Sequence, residues 1–349
     1  MPGTAHSTFP RKGGMHVSER RPPDERVDSL TGARDDLGPP DAGAGPALEL
    51  RVIGIGGGGC NAVNRYFPHA HELGEVWALN TDAQHLLTVQ AHHKLLLGRN
   101  LCRGRGANAD PHVGEMAAEE SRPQLAERLA GARLVFLIAG LGGGTGSGAA
   151  PVVAKVARER KATTVAFVTH PFTVEGQVRA DNAHHSLDRL RAHADFTSVF
   201  RNDRLLREHP GLTLRDALRK ADEELFRPIR ALRRAARQAD LARVRSRLRG
   251  ATASAAASAT ATLQLGYAHA ADRALGAARQ DLPEAPRSAI VIAGTGGDLT
   301  PHDRAAILEA TFEVLAPDGT ALWGYFLDDG LRGTCEVSVF LHCGPPPPA

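Results

Sequence analysis

The residues best suited to chemistry in this chain would act through their backbone. Residues 140–148 read Gly-Leu-Gly-Gly-Gly-Thr-Gly-Ser-Gly, after the apolar run Leu134–Ala139 and before a helix-like stretch at 149–154. Glycines let successive N–H groups turn toward one anion, and a helix start adds partial positive charge there. Gly143, Gly144 and Gly146 would supply close amides, and Thr145 and Ser147 hydroxyl donors. No Gly-Lys-Ser/Thr closes the loop, so it is not a Walker loop. A ligand-free turn is the plainer reading, but a glycine run this dense between strand and helix favours a phosphate.

A second run, Gly57, Gly58, Gly59, Cys60 and Asn61, also turns from a strand into a helix. Gly54, Gly56 and Gly59 satisfy Gly-x-Gly-x-x-Gly, and Asp82 lies about where a dinucleotide fold places its ribose acid. A Rossmann-type NAD-dependent oxidoreductase is therefore a rival reading. Two anion loops on one sheet fit a nucleoside di- or triphosphate better. Asp82 or Thr81 would equally cap the following helix. Glu175 and Arg179, four apart, share a helix face and by default form a surface ion pair. Asn202 offers a donor and an acceptor on one amide, and Asp222 and Glu223 offer acceptors for two adjacent donors. Arg105 is a loop arginine that either meets a phosphate or is solvated.

Short apolar strands are expected at Leu48–Gly56, Val76–Leu79, Lys94–Leu97, Leu134–Ala139, Thr163–Thr169 and Phe196–Phe200, alternating with helices. That alternation predicts an α/β fold, a Rossmann-like parallel sheet covered on both faces. Ala117–Leu129 is helical in pattern with Pro123 interrupting it, and another helix starts near Leu214. Arg227, Arg230, Arg233, Arg234, Arg237, Arg243, Arg245, Arg247 and Arg249 follow, predicting an arginine-rich surface beside an apolar helix face. The Ala/Ser/Thr run at 251–262 reads as the start of a helix reaching Arg279. Strands are expected at Ser288–Ala293, Ala321–Leu327 and Glu336–His342, and Gly294–Thr300 reads as a turn capping a helix. Residues 1–47, rich in Pro, Gly, Asp and Arg, are expected to be disordered.

The loop 140–148, the run Asn80-Thr81-Asp82-Ala83-Gln84, Pro171-Phe172-x-x-Glu175-Gly176-x-x-Arg179 and Asn202-Asp203-Arg204 together resemble the tubulins and the bacterial cell-division GTPase FtsZ. The resemblance implies a GTP-binding domain at 48–225, a connecting core helix and altered loop at 226–250, and a smaller α+β domain with a mixed sheet at 251–344, ending in a Pro-rich tail. It implies GTP or GDP as ligand, with Mg²⁺ held mainly by phosphates. Glu175 would take ribose hydroxyls, Arg179 the base or a phosphate, Asn202 the nucleoside, and Glu223, with Asp222 adjacent, the guanine edge. In FtsZ an Asn-x-Asp-Phe-Ala-Asp loop acts on the next subunit's nucleotide. Here the match is Gln238-Ala239-Asp240-Leu241-Ala242-Arg243, keeping the acid Asp240 and replacing a second acid by Arg243.

At 349 residues, with 42% hydrophobic and 23% charged residues and a net charge of +3, the composition is that of an ordinary soluble protein. No apolar run spans a membrane, and four scattered cysteines suit buried positions in a reducing cytoplasm. No His/Cys/Asp spacing suggests a transition-metal site. The expected function is a head-to-tail homopolymer hydrolysing GTP slowly; the alternative is a nucleotide-binding scaffold without turnover. The arginine-rich segment suggests a membrane or nucleoid-associated partner. The chain stops at Pro345–Ala349 without a recognisable adaptor-binding peptide.

Overall fold

The computed structural model describes residues 27–29, 49–208, 211, 213–235, 241–248 and 253–344. Among them the strands are β1 (Val27–Ser29), β2 (Leu50–Ile55), β3 (Glu75–Asn80), β4 (His93–Leu96), β5 (Leu134–Gly140), β6 (Thr163–His170) and β7 (Phe196–Arg201), then β8 (Ala253–Thr262), β9 (Ser288–Thr295), β10 (Thr320–Leu327) and β11 (Thr334–Cys343). The helices are α1 (Gly56–Tyr66), α2 (Ala83–Thr88), α3 (Pro111–Glu120), α4 (Arg122–Arg128), α5 (Gly144–Glu159) and α6 (Gln177–Arg191). They continue with α7 (Asn202–Glu208), α8 (Leu214–Ala235), α9 (Leu241–Leu248), α10 (Gly266–Arg279) and α11 (Pro301–Val314).

Six strands form a wholly parallel sheet in the order β4-β3-β2-β5-β6-β7. Successive side chains of a strand face opposite sides, so each central strand serves two cores. Leu134, Phe136 and Ile138 of β5 join one core with α1 and α8, while Val135, Leu137 and Ala139 join another with α3 and α5. The expected helix over 117–129 is two helices meeting at Ser121, with Pro123 in the first turn of α4, where a missing N–H costs nothing.

The second sheet is mixed, in the order β1-β10-β9-β11-β8, with β11 antiparallel to both neighbours. Two expectations fail here. Val27–Ser29 is a strand, parallel to the β10 edge, whereas the segment 1–47 reads as disordered; its other residues, apart from these three, lie outside the described ones. Residues 253–262 are a strand, not a helix start. Their alanines pack in register against β11, from Ala253↔Cys343 to Thr262↔Thr334. The small side chains also let β8 meet the edge of the first sheet. Ser254 Oγ donates to Thr197 O at 2.7 Å and accepts from Thr197 N at 2.9 Å, and Ser198 Oγ accepts from Ala256 N. Tertiary pairing overrides the helical propensity of alanine. Gly294–Thr300 is the expected turn: Thr295 Oγ1 accepts from the N–H groups of Gly297, Asp298 and Leu299, and Thr300 caps α11.

The arginines of 227–249 are mostly not the surface expected of them. Arg230 reaches Glu72 (3.1 Å) of the first domain and the buried Glu336 (3.6 Å) of β11. Arg234 pairs with Asp328, lies 3.9 Å from Glu72 and covers the Phe326 ring at 5.3 Å. Arg233 donates to His71 O, Arg245 lies 3.7 Å from the buried Asp195, and Arg247 donates to Thr320. Helix α8 thus bridges the two sheets through charge-assisted contacts as well as through Leu225, Phe226, Ile229 and Leu232. Arg243 is exposed on α9, and Arg237, Arg249 and Asp240 lie outside the described residues.

Candidate functional site

The C-terminal ends of β2, β3, β5, β6 and β7 open on one cleft of about 650 Å³. Crevices at that edge of a parallel sheet are where α/β folds take ligands. Its floor is formed by two helix starts. Helix α1 begins at Gly56 and α5 at Gly144; neither has a side-chain cap and neither carries an acid in its first turn. Their leading N–H groups are therefore free to bind an anion. A Cβ on Gly56, at φ +69°, would lie 2.6 Å from Gly146 N, so the two loops touch and only glycine fits there.

The other glycines divide into two kinds. A Cβ on Gly144 would meet Asp110 N at 2.8 Å, and one on Gly146 would meet Gly140 O at 2.3 Å; both are required by packing. A Cβ on Gly57 or Gly143 would meet no protein atom within 4 Å. These two positions face the cleft, and the absence of a side chain there keeps space that the protein itself does not fill.

Of the residues singled out in the sequence, Gly57, Gly58, Asn61, Asp82, Gly143, Gly144, Thr145, Gly146, Glu175, Arg179 and Asn202 line the cleft together. Asp82 also caps α2, as its plainer reading expects, by accepting from His85 N at 3.0 Å. Thr145 Oγ1 and Thr81 Oγ1 are 2.6 Å apart. Glu175 accepts from Arg179 at 2.6 Å and from Phe172 N at 2.9 Å. Asn202 is buried, and its side-chain carbonyl oxygen has no hydrogen-bond partner. An orphaned buried acceptor is costly unless a ligand satisfies it. Asp203 instead holds the turn at Thr173, whose N–H and hydroxyl it accepts and which keep its carboxyl below the usual range.

Six candidate residues stand outside the cleft wall. Gly59 packs α1 on β5: a Cβ there would lie 2.1 Å from Ile138 O. Cys60 is buried with Sγ 3.4 Å from Leu79 O, and burial pushes its thiol up to about 12, so it is structural. Ser147 Oγ accepts from Gly142 N at 2.8 Å, closing the loop from behind. Asp222 is buried against Arg65; burial raises its carboxyl despite that guanidinium. Glu223 is about half exposed, 4.0 Å from Lys220, and neither acid is part of the cleft wall. Arg105 is exposed, while its neighbours Gly106 and Ala107 do line the cleft.

Sequence reasoning missed Asn80 and His85, which join Asn61 in a chain: Asn80 Nδ2 lies 2.9 Å from His85 Nδ1, and His85 Nε2 lies 2.8 Å from Asn61 Oδ1. Asn80 belongs to the quoted run, but nothing in it signals His85. Among the described residues no three His, Cys, Asp or Glu side chains assemble as a metal site.

The cleft thus presents backbone amides, with Arg179 its single arginine or lysine among the described lining residues. Residues 49–209 match the Tubulin/FtsZ family, GTPase domain. Cell division protein FtsZ 1 of Archaeoglobus fulgidus is 37% identical over 305 residues, 84% of this chain and 81% of that protein. FtsZ 1 of Thermococcus kodakarensis is 39% identical over 291 residues, 81% and 77% of the two chains. The structure of an empty FtsZ dimer from M. jannaschii superposes with a TM-score of 0.78 at 31% identity, over 85% of this chain and 88% of that one. With a parallel-sheet domain, a mixed-sheet domain and this cleft, the chain belongs to the tubulin/FtsZ family of GTPases.

Proposed function

We propose that the chain binds GTP and GDP in this cleft, assembles head to tail with its own copies and hydrolyses GTP slowly between subunits, in cell division or a related process. The observation that carries nucleotide binding is the pair of uncapped helix starts whose Gly57 and Gly143 face open space. Phosphates would lie on those amides, ribose hydroxyls on Glu175, and a base N–H on the orphaned Asn202 oxygen. Arg179 would face the base or a phosphate. Mg²⁺ would be held mainly by phosphate oxygens, because Asp82 already caps α2 and Glu175 pairs with Arg179. By resemblance Glu223, although outside the cleft wall, is our candidate for reading guanine, since Asp222 is tied to Arg65. Glu223→Ala should then abolish preference for GDP over ADP; intact preference would reject that role.

Self-association is supported by the relative from M. jannaschii, described as a dimer. For hydrolysis, Asp240 is the proposed acceptor beside the attacking water. Arg243, three residues on, would pair with that acid and slow turnover. A second reading, a scaffold without turnover, is favoured by this same replacement of an acid by Arg243. Steady-state phosphate release from GTP, measured with pelleting of polymer, separates them: slow release that Asp240→Ala abolishes and Arg243→Asp accelerates supports the first. Pelleting without release supports the scaffold. Loss of release in Arg243→Asp would make Arg243 a group that contacts the neighbour's terminal phosphate.

A further inference from the structure

A second cavity, about 700 Å³, lies where the two sheets' domains meet, walled by β7, α7, α8, β8 and α10. Four basic side chains from three helices line it: Arg204 of α7, Lys220 and Arg227 of α8, and Arg273 of α10. Two acids, Glu224 and Asp272, share the wall. Part of the basic charge is met by neighbours. Arg204 lies 3.5 Å from Asp281, and Lys220 lies 4.0 Å from Glu223. Arg273 makes only a long contact, 3.5 Å, to Thr260 O. Arg227, half-buried, makes no hydrogen bond or ion pair with the described residues, though its charge reaches the buried Glu336. The floor is the Ala256–Thr260 stretch of β8, whose small side chains leave the space open.

Gathering like charges around one concavity is unfavourable unless an anion enters, and guanidinium groups match phosphate oxygens in pairs. We infer that this cavity is a second anion site, taking a small, multiply charged phosphate compound between α8 and α10. Its walls belong to both sheets' domains, so occupation would bind one domain to the other. The site is separate from the glycine-loop cleft: the two share no lining residue. The inference does not depend on what the cleft binds.

The test uses the full chain and inorganic pyrophosphate as probe, titrated calorimetrically with and without saturating GDP. Pyrophosphate should bind at one site that persists when GDP is present. Arg227→Gln and Arg273→Gln should each weaken it about tenfold, as loss of one charge-assisted contact does, with GDP affinity unchanged. Arg273→Gln guards against a fold effect at Arg227, because Arg273 lies on the outer helix. Binding that GDP displaces, binding that ignores both variants, or no binding would overturn the inference. Failure of GDP itself to bind would instead reject the nucleotide reading, and sensitivity to the two arginines would still decide this one.

Discussion

The glycine loops and the arginine-rich helix are both runs dominated by one residue type, yet they differ in where their meaning lies. At Gly140–Gly148 the information is in the backbone, and the helix start that follows fixes the direction of the amides. In α8 the arginines mean nothing until their partners are known. Those partners, Glu72, Asp328 and Glu336, lie roughly 90 to 160 residues away from α8's arginines in the chain. A local motif can be read in place; a long-range ion network cannot.

The comparison can be broken at either end. Arg230→Ala should have the largest effect, about 3 kcal/mol of stability by chemical denaturation, because it leaves the buried Glu336 and the mostly buried Glu72 without their shared cation. A change under about 0.5 kcal/mol would mean the arginines are ornament to an apolar seam. Gly59→Ala should cost about 2 kcal/mol whether or not nucleotide is present, since its methyl collides with Ile138 O. Gly143→Ala, with no protein atom nearby, should leave the melting temperature unchanged and weaken GDP about tenfold. If both glycine variants behave alike, the division into packing and ligand glycines is wrong.

The network also has a pH signature. Burial raises the Glu336 carboxyl above its ordinary value, against the pull of Arg230 and its neighbours. An acid raised in the folded state favours folding most below the ordinary carboxylate range and loses that contribution as pH rises through its folded value. Stability of the wild type relative to Glu336→Gln should therefore fall as pH rises above the ordinary carboxylate range; a flat difference would place the titration elsewhere. The smallest effect belongs to Arg243→Ala, whose side chain is exposed on α9, within about 0.5 kcal/mol.

Much of the first domain was legible because its strands are short apolar runs and its loops are glycine. The cleft was legible for the same reason at Gly57, Gly143 and Thr145, and by resemblance at Glu175 and Asn202. Cys60 and Gly59 were misplaced because adjacent residues of a helix start face opposite ways, one to the ligand and one to the sheet. Glu223 and Asp222 could not be told apart without Arg65, which lies far away in the chain. His85 carries no local signal at all. Residues 253–262 were misread because alanine favours helices wherever nothing else competes, and their competitor β11 is distant in the chain.

That distance has a consequence for how the molecule is made. Strand β8 pairs with β11, which follows it by roughly 70 to 90 residues, and contacts of such separation form late because loop closure precedes any reward. During synthesis the Ala/Ser/Thr run leaves the ribosome long before its partner exists, with the hydroxyl stitches to β7 and the apolar face of α8 within reach. A chain shortened before Thr334 would leave the alanine strand without the partner that β11 supplies.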